Sequence, residues 1–113
     1  MKKIEAVFRH SQLEKVKQAL NDVGVKGMTI VEVRGAGKQK GYTETYRGSK
    51  VTINLRPKVE LKTIIPDEMV EQAVEAIVEN ARTGQIGDGK IFISNIEETV
   101  RIRTGEKGTE TLT

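Results

Sequence analysis

Two helical stripes, each set between strand-like runs, constrain this chain more than any other feature. Leu13, Val16, Leu20 and Val23 recur at helical spacing, as do Met69, Val70, Ala73, Val74, Ile77, Val78 and Ala81. Ahead of the first stripe, Ile4, Ala6 and Phe8 alternate with Lys3, Glu5 and Arg9, with Val7 as the exception. Ahead of the second, Val59, Leu61, Thr63 and Ile65 alternate with Glu60 and Lys62 and stop at Pro66. Met28 to Val33 and Ile91 to Ile96 supply the strands that follow each helix. Ser11-Gln-Leu-Glu14 has the form of a capping box, Asp67 stands where a cap would open the second helix, and Gly24 and Gly84 sit near the helix ends. The order β-α-β, long connection, β-α-β predicts an α+β fold. Right-handed crossovers bring its four strands into one antiparallel sheet with both helices on one face.

A chain of 113 residues, 36% of them hydrophobic, holds one core and one domain, residues 1–113. No run approaches the roughly 18 apolar residues that span a bilayer. Met1-Lys-Lys-Ile-Glu leads straight into a strand pattern rather than a signal peptide, so a cytoplasmic location is expected. Without cysteine there is no thiolate chemistry, disulfide or zinc ribbon, and the single histidine, His10, is expected on the solvent side just before a helix.

Two helices cover only one face of a sheet. Val7, Val31, Val33, Ile64 and Phe92 or Ile93 nonetheless put apolar side chains on both faces of several strands. The bare face is therefore expected to lie against another copy in a closed oligomer, with ligand clefts near the interfaces.

Three segments point to an anionic ligand. Thr83-Gly-Gln-Ile-Gly-Asp-Gly-Lys90 has three glycines in six residues followed by a lysine, which suits a loop whose backbone N–H groups converge on phosphate oxygens. It departs from the Walker pattern, because Lys90 opens a strand; a helix C-cap followed by a turn would produce the same eight residues. In Glu98-Thr-Val-Arg-Ile-Arg103, alternation predicts a C-terminal strand with Arg101 and Arg103 on one face, facing either polyphosphate or solvent. Between Lys38 and Lys58 six basic residues meet one acid, whereas the remainder carries 13 basic and 15 acidic residues. Regularity lapses over the same stretch, from Gly35 to Lys58. Either a long functional loop or a short hairpin marked by Val51 and Ile53 would form a basic, glycine-hinged arm.

These residues resemble the nitrogen-regulatory PII signal-transduction family, essentially end to end. The resemblance runs through Lys26-Gly-Met-Thr29, Gln39-Lys-Gly-Tyr-Thr-Glu-Thr-Tyr-Arg-Gly48, Thr83 to Phe92, and Val100-Arg-Ile-Arg-Thr-Gly-Glu106. It implies a ferredoxin-like subunit in a cytoplasmic homotrimer, with ATP and ADP competing for clefts between subunits and 2-oxoglutarate binding beside Mg-ATP. It also implies that the arm, the T-loop at about 37–57, changes shape to engage or release targets. By motif position, Thr29 and the Ile64 backbone resemble the adenine contacts. Gly35, Gly37 and Lys38 resemble one phosphate wall and Gly87, Asp88, Gly89 and Lys90 the other, with Arg101 and Arg103 coming from the neighbouring copy. Gln39, Lys40, Gly41, Lys58 and Gly87 resemble the 2-oxoglutarate site, Gln39 also reaching Mg²⁺. Tyr46, Arg47 and Ser49 resemble the partner-docking tip, Arg47 being the arginine that such proteins insert into an ammonium-transporter pore. Recruitment to the membrane through that transporter is implied, without insertion of this chain into the bilayer.

Three residues depart from the family's pattern. Val51 stands where many bacterial members carry the uridylylated tyrosine, which argues against that modification here. Lys38 replaces the usual arginine and loses its bidentate fork, and Lys62 stands where glutamate is common. Two other classes compete with a regulator that acts by binding. A small ferredoxin-like RNA-binding module shares the topology and a basic segment, but its sheet needs aromatic side chains for stacking and Val59 to Ile65 has none. An enzyme needs an activated nucleophile or base, and no residue stands out as one.

Overall fold

The computed structural model describes residues 1–36, 42–46, 49–53 and 55–113, the two middle segments by their backbone alone. Strands β1 (Lys2–Arg9), β2 (Thr29–Ala36), β5 (Leu55–Ile65) and β6 (Gly89–Asn95) form one antiparallel sheet in the order β2-β5-β1-β6. Helices α1 (Leu13–Asp22) and α2 (Val70–Ala81) pack on one face of it. The doubled β-α-β pattern thus yields the expected ferredoxin-like sandwich.

Alternation builds the core. Ile4, Ala6 and Phe8 of β1 and Val59, Leu61, Thr63 and Ile65 of β5 are buried under Val16 and Leu20 of α1 and Ala73 and Ile77 of α2. In the register Ile4↔Thr63, Ala6↔Leu61 and Phe8↔Val59, directly opposed residues share this helix-side face. The other face carries Val7, Val31, Val33, Ile64 and Phe92 among Lys3, Glu5, Arg9, Lys58, Glu60, Lys62 and Lys90. Phe92 opposes Glu5 and so lies on the open face, whereas Ile93 opposes Ile4 on the helix side at the β6 edge. Val31 is 49% exposed and Phe92 55% on a single chain.

The stretch between Gly35 and Lys58 is more regular than a long loop. β2 continues to Ala36, β5 begins at Leu55, and β3 (Tyr42–Tyr46) and β4 (Ser49–Ile53) pair with each other as a separate two-stranded ribbon. The hairpin alternative suggested by Val51 and Ile53 is the one found. Pro57 sits inside β5 because β1 ends one residue short of it. The last β1 pairing is Arg9↔Lys58, so the N–H that Pro57 lacks is not needed on that side.

Neither expected side-chain cap forms. A 3-10 turn precedes each helix, His10–Gln12 before α1 and Asp67–Met69 before α2, and no side-chain cap bond is made at either. The turns satisfy the first donors through backbone carbonyls, as in Met69 N–H to Pro66 O at 3.0 Å. Asp67 instead pairs with the N-terminal ammonium at 2.9 Å, and hydrogen bonding to that group holds its carboxyl below the usual range.

The C-terminal segment corrects a further expectation. Val100 bridges to Lys107, but no strand follows. The chain turns back at once: Gly105 N–H donates to Arg101 O at 2.7 Å, Arg101 N–H donates to Glu106 O at 2.8 Å, and Gly105 has a φ of 74°. Arg101 and Arg103 are therefore not neighbours on one strand face; a turn separates them, and Ile102 between them is fully exposed.

Candidate phosphate-loop groove and base-side groove

Asp88 organises the glycine loop. Its carboxylate accepts from Thr83 N–H and Gly84 N–H at 2.8 Å each, from the Thr83 hydroxyl, and from Arg9 Nε at 3.1 Å. Burial pushes the Asp88 carboxyl up, but these donors outweigh it and hold the group well below the ordinary carboxylate range. The carboxylate is thus turned into its own loop, leaving the backbone of residues 86–89 as the part that faces outward. Gly87 and Gly89 take left-handed φ values of 103° and 104°, which let the backbone curl there without side chains over it.

A pH prediction follows from Asp88. A carboxyl whose folded pKa is depressed contributes stability that is fully present above its unfolded value, about 4, and is lost as pH falls through the folded one. Asp88→Asn should lower stability at neutral pH and flatten the acid limb of a urea-midpoint profile below about pH 5. An unchanged acid limb would show that the carboxylate has no such partners.

Lys58 meets this loop from the sheet. It is buried, its Nζ donates to Gly87 O, and its stem passes under Gly35, where an added Cβ would lie 3.1 Å from Lys58 Cγ. Burial and the nearby Arg9 charge lower its pKa, with Asp88 opposing them. Gly35, Lys58, Gly87, Asp88, Gly89 and Lys90 therefore line one groove of about 750 Å³, together with Val7, Ala36, Ile86 and Phe92. Left-handed glycines beside two lysines fit a phosphate-bearing ligand.

Thr29 and Ile64 line a different groove, of about 630 Å³, with Lys26, Lys62 and the C-terminal Thr113. Lys62 pairs with Glu60 at 3.0 Å, and that hydrogen bond raises its pKa. Arg101 and Arg103 belong to neither groove; Arg101 binds Glu106 at 3.0 Å. Gly37, Lys38, Gln39, Lys40, Gly41 and Arg47 lie outside the described residues, while Tyr46 and Ser49 oppose each other at the tip of the β3–β4 ribbon. His10 is half exposed, as expected, and pairs with Glu32 at 3.2 Å.

Residues 1–106 match the family model for nitrogen regulatory protein P-II. The chain belongs to the PII family. It is 52% identical over 112 residues to the nitrogen regulatory protein P-II of Haemophilus influenzae, covering 99% of this chain and 100% of the relative. It is 54% identical to the P-II protein of Azospirillum brasilense and 53% identical to that of Rhodobacter capsulatus, each over 108 residues and 96% of both chains. PII proteins are nitrogen regulators, and this PII chain has no helix among the described residues that is long and apolar enough to cross a membrane. Arg9 is the loop residue that sequence reasoning overlooked in this PII subunit. It alternates on β1 like any surface cation, and its partners lie 77 and 79 residues away.

Proposed function

We propose that the chain senses the cell's ATP/ADP balance and 2-oxoglutarate, and controls nitrogen-assimilation targets through the arm between β2 and β5. The observation that carries this reading is the meeting of Lys58, Gly35 and Gly87 at one groove, with Lys90 on its rim. A dicarboxylate beside a triphosphate assembles about six negative charges, so it binds well only where a metal and lysines offset the repulsion. Mg²⁺ held by the nucleotide phosphates and Gln39 would supply that offset, with Lys58 as the protein's share. Binding of the acid is then coupled to Mg-ATP, a coupling free energy between sites. Regulation proceeds by binding, in the cytoplasm, with an ammonium transporter as the docking target of Arg47.

The two grooves support assembly into a homotrimer. Thr29 and Gly35 lie six residues apart on β2, about 20 Å at about 3.4 Å per residue. A nucleotide that uses both Thr29 and the Gly87 loop is accordingly shared by two copies, whose open faces cover one another's Val31 and Phe92.

Calorimetry with ATP and ADP, each with and without Mg²⁺ and 2-oxoglutarate, tests the reading. The acid should bind in Mg-ATP at least about tenfold more tightly than in ADP, a coupling of the ordinary size. Lys58→Met should weaken acid binding far more than ATP binding, since Lys58 meets the acid directly and the phosphates only through the Gly87 carbonyl. Equal acid binding in both nucleotides would remove the carbon-sensing claim. Arg47→Ala should abolish transporter binding and leave nucleotide binding intact; loss of both would contradict separate roles.

A further inference from the structure

Two adjacent peptide groups of the glycine loop are held by cations from the sheet. Arg9 Nη2 donates to Ile86 O at 2.8 Å while its Nε holds Asp88, and Lys58 Nζ donates to Gly87 O. Arg9 and Lys58 are direct partners in the β1–β5 register, so one rung of the sheet supplies both. In a planar trans peptide the N–H points opposite to the C=O. Turning the carbonyls of Ile86 and Gly87 toward these cations therefore turns the N–H groups of Gly87 and Asp88 away from them. An anion-binding loop needs this polarity, because a carbonyl turned outward would repel phosphate.

We infer that Arg9 is a positioning residue for the phosphate loop, latching Asp88 and the Ile86 carbonyl so that the Gly87 and Asp88 N–H groups are preset for a phosphate. The inference rests on the reading of residues 83–90 as a phosphate loop. It differs from a simple role of Arg9 as a positive charge near an anion. Coulomb attraction predicts opposite signs for two substitutions: removing Arg9 weakens anion binding, and removing the Asp88 charge strengthens it. A latch predicts the same sign for both, because either change frees the same peptide.

The test is calorimetric titration of the assembled wild-type protein, Arg9→Gln, Asp88→Asn and the double variant with ATP and with adenosine. Amide spectra of Gly87 and Asp88 are recorded alongside, and oligomeric state and circular dichroism serve as controls on folding. Arg9→Gln and Asp88→Asn should each weaken ATP by about tenfold or more, as expected for losing a charge-assisted hydrogen bond. Adenosine should change by less than about twofold, because it has no phosphate to lose contact. The double variant should be no weaker than the worse single one, the non-additivity of a shared interaction, and the Gly87 and Asp88 amide signals should shift or broaden without ligand. Tighter ATP binding by Asp88→Asn, additive losses, or unmoved amide signals would overturn the latch. Failure of the wild type to bind ATP at all would overturn the phosphate-loop reading and the latch with it, and is distinguishable because it shows before any substitution is made.

Discussion

Replacing Gly89 by alanine should cost more than about 3 kcal/mol, enough to lower the melting temperature by about 10 °C or more in a domain of this size. An added Cβ would fall 1.8 Å from Val7 O, 2.8 Å from Val7 C and 3.0 Å from Phe8 Cα, all of them backbone atoms. β1 cannot retreat from this clash, since it is paired on both sides by β5 and β6 and anchored by the fully buried Phe8. The left-handed φ of Gly89 adds strain of its own. The damage should spread to the neighbouring Asp88 loop and weaken nucleotide binding. Two other glycines serve as controls. Gly84→Ala has left-handed strain but no atom within 4 Å of the new Cβ, so it should cost about 1 kcal/mol. At Gly35 the new Cβ would press on the flexible Lys58 stem, so Gly35→Ala should affect ligand binding more than stability. Equal melting temperatures for Gly89→Ala and wild type, by calorimetry or circular dichroism, would contradict the close approach of β6 to β1.

In the proposed trimer, Phe92→Asp and Val31→Asp should each release monomers and weaken ATP binding by more than about a hundredfold, because burying an unpaired carboxylate in an apolar contact costs several kcal/mol. Both side chains stand half exposed on the sheet face away from the helices, where Val7, Val33 and Ile64 extend the apolar surface. On a monomer both substitutions would be nearly neutral for stability and would improve solubility. Light scattering distinguishes the two cases: a fall to the mass of one chain supports a covered face, and an unchanged mass would show that this face meets solvent.

The parts of this structure that were legible in the sequence are those set by local periodicity. Ile4, Ala6 and Phe8 alternate with charges because one face of β1 is buried, and Val16 and Leu20 recur at helical spacing for the same reason. Contacts that depend on register or on distant partners were not legible. Arg9 reads as a surface cation of β1, apart from Asp88 in the glycine loop, until the pairing of β1 with β6 brings the loop beside the end of β1. The sequence Ser11-Gln-Leu-Glu14 has the letters of a capping box, yet a 3-10 turn takes its place, with the Leu13 N–H donating to His10 O. Alternation from Glu98 to Arg103 suggested a strand, but a strand needs an edge to pair with, and one chain offers Val100 only Lys107, across the turn that ends at Gly105. Pro57 lies within β5, and only the register shows that β1 has already ended there, so that the missing N–H is not needed on that side.

On the function proposed above, one nucleotide is held by two copies of this chain, the phosphate loop of one and the base side of the next. Subunit mixing tests it most directly. Lys90→Ala chains, damaged in the phosphate groove, are unfolded and refolded together with Thr29→Tyr chains, whose base-side groove is blocked, and bound ATP is counted by equilibrium dialysis. Each variant alone should bind almost none. In the mixture about a quarter of the sites should regain ATP at wild-type affinity, since random closed assembly joins two undamaged walls at that frequency. A mixture that binds no more ATP than its two components would place both walls in a single protomer and contradict the claim.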